Sequence, residues 1–376
     1  MKRYVSCFVA LFLVLAFVLA GCSGAPSASS EAPASSPSEV ASEAPSAEAS
    51  EPAASEAPAE SAEASAPAES SKIKSVSDYE PLFTVQLAEL SDDTQTFNEF
   101  VDKYTEYTAE NVAQYNQERI ELLDSFHKDV APLADVDIQD FEYQNGDYTG
   151  TGLVYRPKTD ETLPIVVYIH GGGWTTLSKE CYQYECAAIA EKANCVVFSL
   201  DYRLAIEGVD YTASYQDSYA GLLSVVEQAA DYGADPSKIA VMGDSAGGSI
   251  AAGIALMARD NGGPEITHQM LCYPAVGFEY DPESTSFDNP EDALNPYYSP
   301  IYDDDKANTP STTIVIGTCD FLLDSNLRYA KSLMDAGVDV DFQLYQGMPH
   351  GFIQLTTESG LASIDNISAK LSEVLH

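Results

Sequence analysis

The stretch "VMGDSAGGSI", residues 241–250, joins an apolar start to three glycines, two serines and one acidic residue. Small residues of this kind let a helix lie close against a β-sheet, which is one interpretation. Gly243-Asp244-Ser245-Ala246-Gly247 also has the pattern G-x-S-x-G, the strand-to-helix turn that exposes a nucleophilic serine. Because chance alone produces this pattern in about one chain in ten of this length, the rest of the sequence must decide between the two interpretations.

Short apolar runs alternate with helical patterns on both sides of this stretch. The apolar runs are "PIVVYIH", "CVVFSLDYR", "KIAVMG", "QMLCYP", "TTIVIGTCD" and "DFQLYQG". Helical patterns fall near 179–192, 213–231, 247–259, 324–336 and 360–374. Such runs predict buried, mostly parallel strands with helices on both faces of the sheet, and "FEYQNGDYTGTGLVYRPK" predicts a hairpin turning at Asn145-Gly146. The predicted fold class is therefore α/β.

Unusual residues follow several of these strands, at the sheet edge where parallel sheets gather their working groups. The first such segment is His170-Gly171-Gly172-Gly173-Trp174. Three successive glycines cost backbone entropy but let N–H groups approach a ligand closely, as an oxyanion hole demands. Ser245, Asp320 and His350 each come just after a later predicted strand, in that chain order. A nucleophile, an acid and a base are thus predicted to share one edge of the sheet.

These segments together resemble a known family. The segments "HGGGW", "DYRLAIE", "DPSKIAVMGDSAGG", "CYPAV", "NPYYSPIY", "GTCDFLLDSN" and "GMPHGF" occur in the order found in hormone-sensitive-lipase-like bacterial esterases, the α/β hydrolase fold-3 family. The resemblance covers about residues 140–376. It implies the α/β-hydrolase fold, a small helical cap, and a serine carboxylesterase acting on short-chain or small acyl esters.

The resemblance also implies roles for individual residues. Ser245 would be the nucleophile, His350 the general base, and Asp320 the acid that orients the imidazole. Asp324, four residues beyond Asp320, is the alternative acid, although it lies farther from the strand end. The predicted oxyanion hole consists of the N–H groups of Gly171, Gly172 and Ala246.

Two departures from the family's pattern leave the substrate size open. Ile206 stands where the segment beginning with tyrosine, arginine and leucine usually has a proline. The stretch between "CYPAV" and "NPYYSP" is also short, which suggests a reduced cap over the pocket.

The first 71 residues predict an export signal and a spacer. "MKRYVSCFVALFLVLAFVLAGC", residues 1–22, has a basic start, an apolar middle and small residues before Cys22, as in lipoprotein signal peptides. We therefore expect lipid attachment at Cys22 and a location in the bacterial cell envelope, facing outside the cytoplasm. Residues 23–71 contain almost only Ala, Ser, Pro and Glu, which predicts a disordered tether. Residues 72–137 are then a helical N-terminal or cap segment, and residues 138–376 form the catalytic domain.

Charge and cysteine content narrow the possible partners. The formal net charge of −41 disfavours nucleic acid and anionic membrane surfaces, so the expected membrane contact is through the lipid anchor alone. The five cysteines that would remain after lipidation are an odd number, which disfavours a disulfide scaffold. Metal-ligand spacings such as C-x-x-C or H-E-x-x-H are absent from the sequence, and we expect neither a metal nor a cofactor.

Other functions on the same scaffold stay open at this stage. A carbohydrate deacetylase or an amidase would use the same residues, because a fold does not by itself choose a substrate. A ligand-binding protein without catalytic activity is a further alternative, although such proteins usually lack one of the three catalytic side chains.

Overall fold

The structure is a computed structural model that describes residues 92–101, 107–131, 133–278 and 287–376. The predicted signal peptide, the lipidation site Cys22 and the tether at 23–71 lie outside the described residues.

A single eight-stranded sheet organises the described part of the chain. Its spatial order is β1-β2-β4-β3-β5-β6-β7-β8. The strands are β1 (Asp137–Asn145), β2 (Tyr148–Arg156), β3 (Leu163–Ile169), β4 (Val196–Leu200), β5 (Ala234–Asp244), β6 (His268–Cys272), β7 (Ser311–Gly317) and β8 (Val340–Tyr345). The β1–β2 and β2–β4 pairs are antiparallel, and all later pairs are parallel. The predicted α/β class with a mostly parallel sheet is confirmed.

Helices connect most of the parallel strands as the alternation of patterns predicts, whereas the described residues between β6 and β7 contain only short 3₁₀ turns. The α-helices are α1 (Asp92–Val101), α2 (Ala109–His127), α3 (Gln183–Ala193), α4 (Thr212–Gln228), α5 (Ala246–Asn261), α6 (Leu323–Asp335) and α7 (Glu358–Leu375). Each predicted helical segment after residue 170 coincides with one of these helices to within a few residues. Boundaries differ mainly where a short 3₁₀ turn precedes or follows the α-helix, as at Lys179–Tyr182 before α3.

Both faces of the sheet are covered, which explains the continuous apolar runs. Every residue of β3 is buried. Val167 and Ile169 pack into one apolar cluster with α4 and α5, whereas Val166 and Tyr168 pack into a second cluster with α3 and α7. Because successive strand residues point to opposite faces, a strand buried on both sides needs apolar residues throughout.

The predicted hairpin lies at the antiparallel end of the sheet. Asn145 pairs with Tyr148, and Gly146 adopts a φ of +58° in the turn between β1 and β2. The positive φ favours glycine, as the hairpin prediction requires.

The N-terminal helices pack against the second apolar cluster. Tyr115, Leu123 and Phe126 of α2 join this cluster together with residues of α3 and α7. Helix α2 begins with a capping box, in which Thr108 and Asn111 satisfy each other's backbone N–H groups. Within the described residues, the segment before residue 138 thus contributes the helices α1 and α2.

Most cysteines in the described part of the chain lie in the protein interior. Cys181, Cys186, Cys195 and Cys272 are buried as free thiols, and Cys319 is exposed. Cys195 and Cys272 are fully buried in the apolar core. Among the described helices, none combines the length and the apolar character needed to cross a membrane.

Candidate active site

Three side chains from distant parts of the sequence form one chain of hydrogen bonds. The Ser245 hydroxyl lies 2.8 Å from His350 Nε2, and His350 Nδ1 lies 2.8 Å from Asp320 Oδ2. Since an ionised carboxylate can only accept, Nδ1 carries the proton and donates to Asp320. Nε2 is then the acceptor for the Ser245 hydroxyl. The imidazole is thus held in the tautomer that can remove a proton from the serine.

The tight turn at Ser245 explains the small residues of the opening stretch. Ser245 follows β5 with φ +53° and ψ −119°, a conformation that L-residues rarely adopt, and α5 begins at the next residue. A Cβ added at Gly243 would lie 2.3 Å from the Gly247 carbonyl oxygen, and one at Gly247 would lie 2.1 Å from the Ile169 carbonyl oxygen. Both glycines are therefore needed for α5 to pass close to β3 and β5. The small residues of this stretch thus allow close packing of the helix on the sheet, and they also form the tight turn that carries Ser245.

Asp320, rather than Asp324, faces the imidazole. Asp320 is buried in the turn after β7, where its second oxygen, Oδ1, accepts the Leu322 N–H at 2.8 Å. Asp324 is about two-thirds exposed on α6 and pairs with Arg328 at 2.6 Å. The alternative acid therefore points to the surface, one turn along the helix.

The glycine loop after β3 differs from the sequence prediction at one residue. The Gly171 N–H donates to Asp244 Oδ1 at 2.9 Å, and the same nitrogen lies 3.2 Å from the Tyr182 hydroxyl oxygen. A Cβ at Gly171 would lie 2.5 Å from Asp244 Oδ2. The expectation that Gly171 supplies an oxyanion donor is wrong, because its N–H is already bonded and its glycine character serves the close approach of Asp244.

The next two glycines carry backbone N–H groups that have no acceptor among the described residues. Gly172 has φ +112° and Gly173 has φ +59°. Within the described residues, the N–H groups of Gly172, Gly173 and Ala246 donate to no protein acceptor. Gly173 was not among the residues that the sequence indicated. The signal that points to it is the acidic residue beside the nucleophile, which engages the first glycine and leaves the second and third.

Asp244 is a buried anchor beneath this loop. Besides the Gly171 N–H, it accepts hydrogen bonds from the hydroxyls of Tyr168 at 3.1 Å and Tyr182 at 3.0 Å. Burial raises the pKa of Asp244 to about 6, although these three donors act in the opposite direction. Asp244 thereby connects β5 to the glycine loop and to the 3₁₀ turn before α3.

His170, at the start of the loop, is buried and is held by neighbouring groups of the protein. Its ring stacks on Tyr202 with 4.3 Å between centroids, and its Nδ1 lies 2.7 Å from the Gly171 carbonyl oxygen. Burial lowers the pKa of His170, which favours the neutral ring.

Two aromatic rings flank the imidazole. The ring centroids of Tyr273 and Phe321 each lie 4.7 Å from that of His350. Tyr273 is fully buried, whereas the Phe321 side chain is 57% exposed. Phe321 therefore presents an apolar ring to solvent directly beside the reacting groups.

No candidate metal centre accompanies these residues: across the described ranges, no group of three or more His, Cys, Asp or Glu side chains could hold a metal ion.

Comparison with known proteins identifies the family and several relatives of this chain. A family described as having the alpha/beta hydrolase fold matches residues 166–354. Carboxylesterase NlhH of Mycobacterium tuberculosis is 35% identical over 249 residues, which span 60% of this chain and 78% of that protein. Ethyl acetate hydrolase of Pseudomonas putida is 30% identical over 228 residues, spanning 54% and 71% of the two chains.

A solved esterase structure is also similar to this chain. The hyperthermophilic esterase of the archaeon Pyrobaculum calidifontis matches with a TM-score of 0.66 at 30% identity, over 74% of this chain and 96% of that one. The chain therefore belongs to the alpha/beta hydrolase family. The predicted resemblance to hormone-sensitive-lipase-like esterases is confirmed.

Proposed function

We propose that this carboxylic ester hydrolase cleaves short-chain or small acyl esters through an acyl-enzyme formed on Ser245. The observation that carries the proposal is the hydrogen-bond chain from Asp320 through His350 to the Ser245 hydroxyl. A serine hydroxyl is a weak nucleophile unless a neighbouring base takes its proton during attack. His350 Nε2 is placed at hydrogen-bond distance to do this.

The reaction would run in two half-reactions. Ser245 Oγ attacks the ester carbonyl while its proton passes to His350, and Asp320 stabilises the resulting imidazolium. His350 then gives the proton to the departing alcohol, which leaves an acyl group on Ser245. A water molecule, deprotonated by His350, attacks the acyl group, and the Ser245 Oγ–acyl bond breaks as His350 returns the proton to Oγ, which releases the carboxylic acid and restores the free enzyme.

Charge on the tetrahedral oxygen would be stabilised by backbone donors. We assign this role to the N–H groups of Gly172, Gly173 and Ala246, because they donate to no acceptor within the described residues. Removing one donor of this type typically costs about 3–4 kcal/mol in transition-state stabilisation.

The preference for small acyl groups rests on the surroundings of the glycine loop. Trp174 directly follows Gly173 and packs against Tyr211 and Phe278, with ring centroids 5.3 Å and 4.8 Å away. This group of rings occupies space next to the oxyanion loop and would restrict the length of an acyl chain. That a relative of this chain is an ethyl acetate hydrolase supports the same preference.

The proposal is tested by measuring kcat/KM of the full chain on p-nitrophenyl acetate, butyrate and octanoate, with an acetylated sugar and an anilide in the same series. We expect acetate or butyrate to be the best substrate and Ser245→Ala to lose at least about 10⁴-fold in rate. Ser237→Ala, at an exposed serine of β5, the strand that precedes Ser245, is the matched control and should keep the parent rate. Faster turnover of the acetylated sugar or the anilide would instead favour a deacetylase or an amidase. Equal rates for Ser245→Ala and the parent would exclude a serine hydrolase.

We also propose that a lipid on Cys22 holds the enzyme at the outer face of a bacterial membrane. The support is the sequence of residues 1–22 and the Ala, Ser, Pro and Glu composition of residues 23–71. Metabolic labelling with an alkyne-bearing fatty acid should mark the parent protein but not Cys22→Ser. Equal labelling of the two proteins, or recovery of both from the soluble fraction, would contradict the anchor.

A further inference from the structure

A cavity of about 300 Å³ lies between the end of α2, helix α3 and helix α7. It is formed by elements other than those that carry Ser245 and Asp320. Its apolar lining includes Val130, Ala134, Ala188, Ile353, Leu361 and Ile364. The volume is at the lower end of the range of about 300–1,000 Å³ that is usual for ligand pockets.

One polar side chain in this cavity lacks the partners that its burial demands. Glu185 of α3 is only 2% exposed, and neither of its carboxylate oxygens has a hydrogen-bond partner among the described residues. His127 Nε2 lies 3.9 Å from Glu185 Oε1, too far for a hydrogen bond, and faces the Gln354 carbonyl oxygen at 3.3 Å. Burial raises the pKa of Glu185 to about 8, so near neutral pH the cavity by itself favours the neutral acid, and a cation bound beside it would favour the carboxylate.

A buried carboxylate without partners is costly, and buried charges in proteins are normally paired and hydrogen-bonded. Two oxygens with free lone pairs, surrounded by apolar walls, fit a ligand with N–H donors and a short hydrocarbon part. The structure therefore offers acceptors at one place in this cavity and apolar surface around them.

The charges around the cavity favour a cationic ligand over a neutral or anionic one. Glu191 and Asp365 also line the cavity, and its basic lining residues are Lys192, which is paired with Asp365, and His127, whose ring lies 3.9 Å from Glu185. Tyr184 contributes an aromatic ring, stacked on His127 with 4.3 Å between centroids. Aromatic rings attract organic cations, and the acidic groups would repel an anion.

We propose that this cavity binds a small organic ammonium ion, with the Glu185 carboxylate as its counter-ion and the apolar walls around its alkyl group. The site is separate from ester cleavage and does not depend on the mechanism proposed for Ser245.

The test is isothermal titration calorimetry, in which the full chain is titrated with n-butylammonium chloride and, separately, with 1-butanol as the neutral probe. We expect saturable one-to-one binding of the ammonium ion and at least about tenfold weaker binding of the alcohol, because a charged hydrogen bond is lost. Absence of saturable ammonium binding, which would mean that water alone fills the cavity, would overturn the proposal.

Two variants locate the binding on independent grounds. Glu185→Gln removes the charge at nearly constant shape, and Ala188→Leu fills the cavity while keeping Glu185. Each should weaken ammonium binding at least about tenfold, whereas Glu191→Gln, at an exposed position on the same helix, should change it much less. Parent-like affinity in either of the first two variants would place the ammonium elsewhere and refute the assignment. Unchanged thermal unfolding of the variants serves as the control for folding.

Discussion

Two regions of the molecule are held in place by different kinds of contact. One consists of the loops after the parallel strands, and the other consists of the N-terminal helices α1 and α2. In the loops, backbone passes so close to backbone that a side chain has no room: a Cβ at Gly172 would lie 2.1 Å from the Thr176 carbonyl oxygen. The helices are attached by side chains instead. Arg119 of α2 donates to Gln354 Oε1 at 2.5 Å, and its guanidinium lies 3.9 Å from the Phe97 ring centroid.

Helix α2 contacts two of these loops. Asn116 of α2 accepts the Leu177 N–H at 2.9 Å, five residues beyond Gly172, and Gln354 comes four residues after His350. The helices thus support the glycine loop and the histidine loop from outside. Changes inside the loops should therefore reduce catalysis directly, whereas changes in the helices should reduce stability more than the catalytic rate.

The largest effect is expected for the acid of the hydrogen-bond chain. Asp320→Asn should lower kcat/KM on p-nitrophenyl butyrate about 10⁴-fold, because an amide favours the wrong imidazole tautomer and cannot stabilise the imidazolium. Asp324→Asn is the matched control: its side chain pairs with Arg328 at the surface, so its rate should stay within about twofold of the parent. A greater loss in Asp324→Asn than in Asp320→Asn would reverse our assignment of the acid.

The next largest loss of rate should distinguish substitution of Gly172 from substitution of its neighbour Gly173 in the glycine loop. Gly172→Ala places a methyl group 2.1 Å from a carbonyl oxygen at φ +112°, so the loop must move, and we expect a loss of about 10²–10³-fold in kcat/KM. At Gly173 a Cβ meets only Thr175 Oγ1, at 4.0 Å, with φ +59°. Gly173→Ala should therefore lose less than about tenfold, from a backbone strain of about 1–2 kcal/mol. Similar losses in both variants would argue against steric control of this loop.

The strands, and the residues that follow them at one edge of the sheet, could be predicted from the sequence for a physical reason. A strand buried on both faces must be apolar throughout, so "PIVVYIH" could be recognised without knowing its neighbours. Since parallel strands end at one edge of the sheet, residues after successive strands are brought together by topology alone. The hydrogen bonds from Asp320 to His350 and from His350 to Ser245 follow that order.

The incorrect and missing predictions depend on side chains that meet only in the folded chain. Gly171 could not be excluded as an oxyanion donor from the sequence, because its N–H is taken by Asp244, which lies 73 residues away. The attachment of α2 is of the same kind, since Arg119 and Gln354 are 235 residues apart and belong to no recognisable motif.

The attachment of the helices is tested by Arg119→Met. Methionine can keep the contact with Phe97 but leaves Gln354 Oε1 without its charged donor, so we expect the free energy of unfolding to fall by about 1–3 kcal/mol. The value of kcat/KM should fall by less than about tenfold. Arg328→Met, at an arginine whose side chain is 68% exposed, is the control and should change stability by no more than about 0.5 kcal/mol. A large rate loss in Arg119→Met without loss of stability would show that α2 acts on the chemistry itself.

The smallest effects are expected at two helix caps, one on α2 and one on α7. Thr108 caps α2 through the Asn111 N–H at 3.4 Å, and Thr357 caps α7 through the Gly360 N–H at 3.0 Å. Replacing either threonine by alanine should cost about 1 kcal/mol of stability without changing kcat. Because α2 shares one apolar cluster with α3 and α7, both variants should lower the same unfolding transition, measured in denaturant by circular dichroism and by ester hydrolysis. If Thr108→Ala instead shifts a separate, earlier transition that leaves hydrolysis intact, the N-terminal helices unfold independently and contribute nothing to holding the two loops.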